Sequence, residues 1–284
     1  MRAFVASVQE VFREAAARWT LISYFALSTL FILMFAAAVN LDIVDGALAG
    51  MKLFGQTVDL PDRQIRIDEL VLGFESTFSG VLYFVGLFLA LFATAHLVPR
   101  LQEKGTIDLY LSRPIGRVTL LLSRYTGGLL LAAANVAYMI GAIWLIVAWK
   151  TRVFHPRFLL SGIVILFTIA TLMAFAFLVG VITSSTAVSL MGTYAVFFLA
   201  AILALHTQIS AAVSTEFAAR LVEGLYWVLP KTAELGKATV ALVAGDEAPA
   251  RLAIVNPLAI YGSTALFGVA SLGLASWLFS RKDF

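Results

Sequence analysis

Five stretches of this chain carry no Asp, Glu, Lys or Arg: residues 19–41, 76–99, 125–149, 158–215 and 252–280. A helix needs roughly 20 apolar residues to cross about 30 Å of hydrocarbon. Four stretches therefore hold one span each, and the longest, at 58 residues, holds two. The pattern predicts an all-α membrane protein of one domain. Its six transmembrane helices fall at about 19–41, 76–98, 120–149, 158–182, 187–208 and 256–280, with outer loops at 42–75 and 209–255.

The segments between the spans are patterned too. Phe4, Val8, Val11, Phe12 and Ala15 recur at helical spacing against Arg2, Gln9, Glu10, Arg13 and Glu14. That spacing predicts an amphipathic elbow helix in the membrane plane, with Glu14 and Arg18 four residues apart and able to pair. Between the second and third spans, Thr106 can cap a short helix that has Asp108 in its first turn and Ile107 and Leu111 on one face. Gly105 permits the sharp bend before it, and Pro114 ends it. Beyond Thr215, Glu216, Arg220 and Glu223 alternate with Phe217, Leu221, Val222 and Leu225, which predicts interfacial or re-entrant helices before the sixth span. Residues 51–68 have the punctuation of a short hairpin. Asp42, Asp45, Asp59, Asp62, Asp68, Glu69 and Glu75 read as a solvated acidic loop.

Composition agrees, with 61% hydrophobic and 13% charged residues and a mean hydropathy of +0.94. The apolar run from Trp19 to Val39 is longer than a signal-peptide core and follows Glu10 and Glu14, so the first span is expected to be retained. The net charge of +3 is spread over short loops, which argues against nucleic acid as a partner. Arg2, Arg13, Arg18, Arg100, Lys104, Arg113, Arg117, Arg124, Arg281 and Lys282 crowd one side. The remaining ten basic residues are spread over nearly twice the length, so both termini are expected in the cytoplasm. Trp19, Trp144, Trp149 and Trp277 fall near span ends, as in an interfacial aromatic belt.

Chemistry inside the spans is sparse. Asn135 is the one strongly polar residue near mid-span and reads as a helix-packing contact. The absence of charge there disfavours a secondary transporter, whose coupling ion needs ligands in the membrane interior. His96, His155 and His206 lie on segments that do not obviously converge, there is no cysteine, and no metal site is expected. A phosphate-binding loop would need glycine where Lys231 stands and Ser or Thr where Ala238 follows Gly236 and Lys237. No ATP site and no catalytic constellation is therefore expected in this chain.

The segment from Glu103 through Gly105, Thr106, Leu109, Leu111, Ser112 and Pro114 to Arg117 resembles the coupling stretch of type-2 ABC exporter permeases. The polar turn at Thr183 to Thr186, the Tyr226 to Pro230 segment and the terminal Phe279, Arg281, Lys282 and Asp283 extend the likeness. It looks closest to the branch of copper-enzyme-maturation permeases, such as that serving nitrous oxide reductase. Where the family often has acidic residues before the Gly-Thr pair, this chain has Gln102, Glu103 and Lys104. The resemblance implies a permease subunit in a bacterial cytoplasmic membrane, dimerised with a second copy or a paralogue. Two copies of a separate P-loop ATPase would carry ATP and Mg. Glu103, Gly105, Thr106, Ile107, Asp108, Tyr110, Leu111, Arg113, Pro114 and Arg117 would dock into the ATPase, helped by Glu10, Arg13 and Glu14 of the elbow helix. A non-transporting membrane assembly or structural protein, or a secondary transporter, is the alternative.

Overall fold

The computed structural model describes the chain except residues 1, 18, 45–46, 54–55, 59–66, 104, 106–115, 214, 253, 255 and 283–284. Helix α1 (Arg2–Ala17) meets α2 (Thr20–Ala38) at a 69° bend. Strands β1 (Val39–Val44), β2 (Ala47–Leu53) and β3 (Gln56–Val58) follow as an antiparallel meander, with Val39 opposite Leu53 and Met51 opposite Val58. Then come α3 (Ile67–Thr94), α4 (Leu97–Leu101), α5 (Arg117–Thr151), α6 (Arg157–Thr183) and α7 (Thr186–Leu203). Short helices α8 (His206–Ala212), α9 (Glu216–Val228) and α10 (Thr232–Ala244) precede α11 (Pro257–Arg281). Five helices or helix pairs are long and apolar enough to cross a membrane, and α2 with its bent partner α1 makes a sixth candidate. Apart from the small sheet, the described chain is helical.

Helix boundaries follow local chemistry. The Ser185 side chain accepts from Val188 N at the start of α7, and Asn256 accepts from Ala259 N at the start of α11, where Pro257 occupies the first helical position. Arg152 and Ser184 close α5 and α6 in left-handed backbone, at φ 61° and 52°. The first apolar run is shorter as a helix than its composition suggests. Helix α2 stops at Ala38, and the β-branched Val39, Ile43 and Val44 pass into β1.

Helix α6 is the hub. It packs against α3, α5, α7, α10 and α11, and Phe158, Ile165, Ile169, Leu172, Met173, Phe177 and Val181 are buried along its length. Because lipid supplies no hydrophobic drive between helices, close packing and internal hydrogen bonds must hold the bundle. The Ser189 hydroxyl reaches Ala176 O at 2.5 Å, Tyr125 Oη reaches Ala170 O at 2.9 Å, and Thr171 packs against Gly268 of α11. Asn135, fully buried, accepts from Ser28 Oγ at 2.9 Å and joins α5 to α2.

The amphipathic first helix lies along α5. Its buried stripe is Ser7, Val11 and Ala15, while Phe12 is only partly buried, so the seam is rotated slightly from the face predicted by apolar spacing. Val11 fits against Gly127, where an added Cβ would lie 2.8 Å from the Val11 Cβ. Gly127→Val should therefore unseat α1. Overpacking of this kind costs about 1–3 kcal/mol, readable as a lower melting temperature in detergent that Val11→Ala partly restores. An unchanged melting temperature in the single variant would show that α1 is not seated there.

Candidate functional site at the ends of the helices

The ends of the family-like segment meet the bundle at one polar cluster. Helix α4 continues the line of α3 with Pro99 inside it, and Pro99 packs on Gly180 near the end of α6. Immediately after α4, the Gln102 amide donates from Nε2 to Gly180 O at 2.8 Å. Its Oε1 accepts from Lys282 Nζ at 2.6 Å and from Ser184 Oγ at 3.1 Å. Lys282 also donates to Val181 O at 2.8 Å and to Ser184 Oγ at 2.9 Å. Burial pushes its ammonium below the ordinary lysine range.

The far end of the segment is held by the same strut. Arg117, the first residue of α5, donates from Nη1 to Lys282 O at 2.6 Å and Ser280 O at 3.3 Å. Both ends of residues 103–116 are thus tied to the last turn of α11, and one end is also tied to the end of α6. Gln102 explains its departure from the acidic family pattern. One face of its amide donates to a carbonyl while the other accepts from an ammonium, and a carboxylate could do only the second.

Of the residues singled out in the sequence, Glu103 and Gly105 are exposed beyond this cluster. Gly105 has φ +84°, a backbone that side chains rarely adopt, which fits the sharp bend assigned to it. Thr106, Ile107, Asp108, Tyr110, Leu111, Arg113 and Pro114 lie outside the described residues. In the elbow helix, Arg13 is exposed. Glu14 accepts from Arg124 Nη1 of α5 at 2.5 Å, and Arg124 is buried. The other partner read for Glu14 in the sequence, Arg18, lies outside the described residues.

Two features at the opposite end of the bundle were not legible as such. Glu75, expected in a solvated loop, sits two turns into α3, is 1% exposed and bonds His155 Nδ1 at 3.0 Å. Acidic residues favour the first turn of a helix, and Asp68 and Glu69 let α3 begin at Ile67. Lys231, within the segment read as the loop 209–255, is 2% exposed. Its ammonium lies 3.4 Å over the Tyr226 ring and donates to Tyr226 O. Tyr226 stacks on His206 with centroids 3.8 Å apart and donates to Glu234 Oε1 at 2.9 Å. The adjoining turn is pinned to three helices, since Lys231 N donates to Thr264 Oγ1, Thr232 Oγ1 to Phe197 O, and Tyr83 Oη to Thr232 O. Among the described residues no group of His, Asp and Glu side chains could hold a metal ion.

Residues 11–284 match the family model described as ABC-2 family transporter protein. No curated protein matches the chain.

The buried lysine gives a pH signature. Burial lowers the Lys231 ammonium from 10.5 to about 8, with nearby Glu234 acting in the opposite direction. Below about pH 8 the group is charged in both folded and unfolded chains and its burial opposes folding. As pH rises from about 8 to 10.5, the folded chain loses the proton first, so stability rises across that window. The Tyr226 hydroxyl, pushed up to about 12 by burial and then by Glu234, stays protonated meanwhile. Thermal melts over this range should show a stabilising rise in the native protein and a flatter profile in Lys231→Met; equal profiles would contradict the assignment.

Proposed function

The chain belongs to the ABC-2 family of transporter membrane proteins, and from that membership we propose that it is the permease subunit of an ATP-driven exporter. A separate P-loop ATPase, in two copies, supplies ATP and Mg, and a second permease copy completes the membrane part. The copper-enzyme-maturation likeness rests on the motif at Glu103 to Arg117 and the related segments, and it names no cargo.

The observation that carries this reading is the double tie at the cytoplasmic ends. A segment that receives a push from an ATPase must pass it to the spans without absorbing it in loose chain. Gln102 and Arg117 bracket residues 103–116, and both bond directly to Lys282. Movement of the segment is therefore delivered to α6 and α11 through short, charge-assisted hydrogen bonds. Ile107, Leu111 and Tyr110 fill the ATPase groove, with Glu103, Asp108, Arg113 and Arg117 at its rim. Apolar anchors in such contacts carry more energy than single rim charges. Thr106 caps the docking helix, Gly105 and Pro114 bound it, and Glu10, Arg13 and Glu14 of α1 add a flanking contact.

Orientation follows from the basic residues, with both termini cytoplasmic. A reporter active only in the cytoplasm should give signal when fused after Phe284 and none when fused after Asp246. The reverse pattern would overturn the placement of every loop.

Coupling has its own test. Ile107→Asp combined with Leu111→Asp should reduce co-purification of the ATPase by about tenfold or more, as loss of an interface anchor does. Glu223→Lys on the exposed α9 should leave it unchanged. Lys282→Met should keep the complex while reducing the permease's effect on ATP turnover severalfold. Unaltered complex formation in the double variant would defeat the docking assignment, and unaltered turnover in Lys282→Met would defeat the tie.

A further inference from the structure

Two cavities at the outer end of the bundle share a wall made by Lys237 and Leu252. The first, about 360 Å³, sets the polar groups of His206, Tyr226, Lys231, Glu234 and Asn256 among apolar neighbours such as Leu252 and Ile254. The second, about 600 Å³, is an apolar groove between α3, α7 and α10, lined by Val81, Phe84, Phe197, Ala201 and Val240. Two glycines let its walls approach. A Cβ on Gly80 would lie 3.1 Å from Val240 Cγ2, and one on Gly236 would lie 3.3 Å from Tyr83 Cε1.

The groove sits on helices read as membrane-spanning, in the half nearer the outer loops, since α3 starts there and α7 ends there. Hydrocarbon, not water, is the medium that fills an apolar recess at that depth. Above it, exposed Trp227 on the amphipathic α9 marks the level of the headgroups. Lys237 stands between the two cavities, exposed, with no hydrogen bond or ion pair among the described residues. With Lys231 and Glu234 on the same wall, the first cavity carries a net positive balance. A basic recess that opens into an apolar groove matches an amphiphile with a negative head and a hydrocarbon tail.

We propose that this site holds an anionic phospholipid of the surrounding bilayer, one acyl chain in the groove between α3, α7 and α10 and the phosphate at the Lys237 ammonium. The inference stands apart from the transport reading, because it needs neither an ATPase nor a cargo. The glycines at 80 and 236 then set the depth of the groove, and Lys237 selects for negative charge.

The test is native mass spectrometry of protein released from nanodiscs that contain phosphatidylglycerol and phosphatidylcholine together. The native chain should retain phosphatidylglycerol in preference to phosphatidylcholine. Lys237→Gln should reduce that preference about fivefold, the size of a modest ion-pair contribution, and Lys237→Arg should keep it. Ala201→Trp, which fills the groove, should release the lipid altogether. Lys237 is exposed, so its variants keep the test valid even where Ala201→Trp does not fold. Equal retention of the two lipids by the native chain, or retention unchanged in Lys237→Gln, would overturn the proposal. So would cross-linking between two copies through Val81→Cys, introduced into a chain that has no other cysteine, because a second copy would then occupy the groove.

Discussion

A helix that ends in or near hydrocarbon leaves its last four carbonyls without partners, and no water is at hand to satisfy them in the apolar layer. Among the described residues three such ends are closed by a cation from elsewhere in the fold. Lys282 reaches Val181 O at the end of α6, Arg117 reaches Ser280 O and Lys282 O at the end of α11, and Lys150 reaches Ala36 O at the end of α2. Each contact satisfies an orphan acceptor and places positive charge at the negative end of a helix dipole. Within the helices, hydroxyls take the same duty locally. Thr94, Thr126, Thr168, Thr193 and Thr239 each bond the carbonyl four residues earlier.

The charged groups that do enter the bundle stay close to its ends. Arg124 lies two turns into α5 and is held by Glu14, while Glu75 lies two turns into α3 and meets His155. The Arg124–Glu14 pair adds little net stability, yet removing Glu14 strands the buried guanidinium, and removing His155 strands a buried carboxyl oxygen of Glu75. Such pairs therefore act more as locks on register than as glue. Arg124 fixes where α1 lies along α5, and Glu75 fixes where the turn between α5 and α6 meets α3.

Much of the helix layout was legible because an uncharged run of span length has few alternatives. The polar turn between α6 and α7 was legible from Thr183, Ser184, Ser185 and Thr186, where side chains can replace backbone partners. What escaped was the burial of isolated charges. Glu75 and Lys231 sit beside segments that read as polar loop, and nothing local distinguishes a solvated lysine from one that tops the Tyr226 ring. That distinction is made by Thr264, Phe197 and Tyr83, which are far away in sequence and pin the adjoining turn. Gln102 was visible as a departure from the acidic pattern. Its meaning needed Gly180 and Lys282, 78 and 180 residues away. Residues 106–115, the heart of the family-like motif, lie outside the described residues, so their reading still rests on sequence and resemblance.

Three of these contacts converge on the first three turns of α5. Arg117 binds the end of α11, Arg124 binds α1, and Gly127 receives Val11 of the same helix. An α-helix is stiff along its axis, so a displacement applied to its first turn moves the contacts along the next two together. Residues 103–116 join that first turn to the end of α4, which itself lies on α6. A push on the segment would then reach α1 and α11 through α5, and the end of the hub α6 through Gln102 and Lys282. The same geometry would let helix α1 load the segment from the other direction, because a force on the Glu14 to Arg124 contact reaches Arg117 through the same two turns.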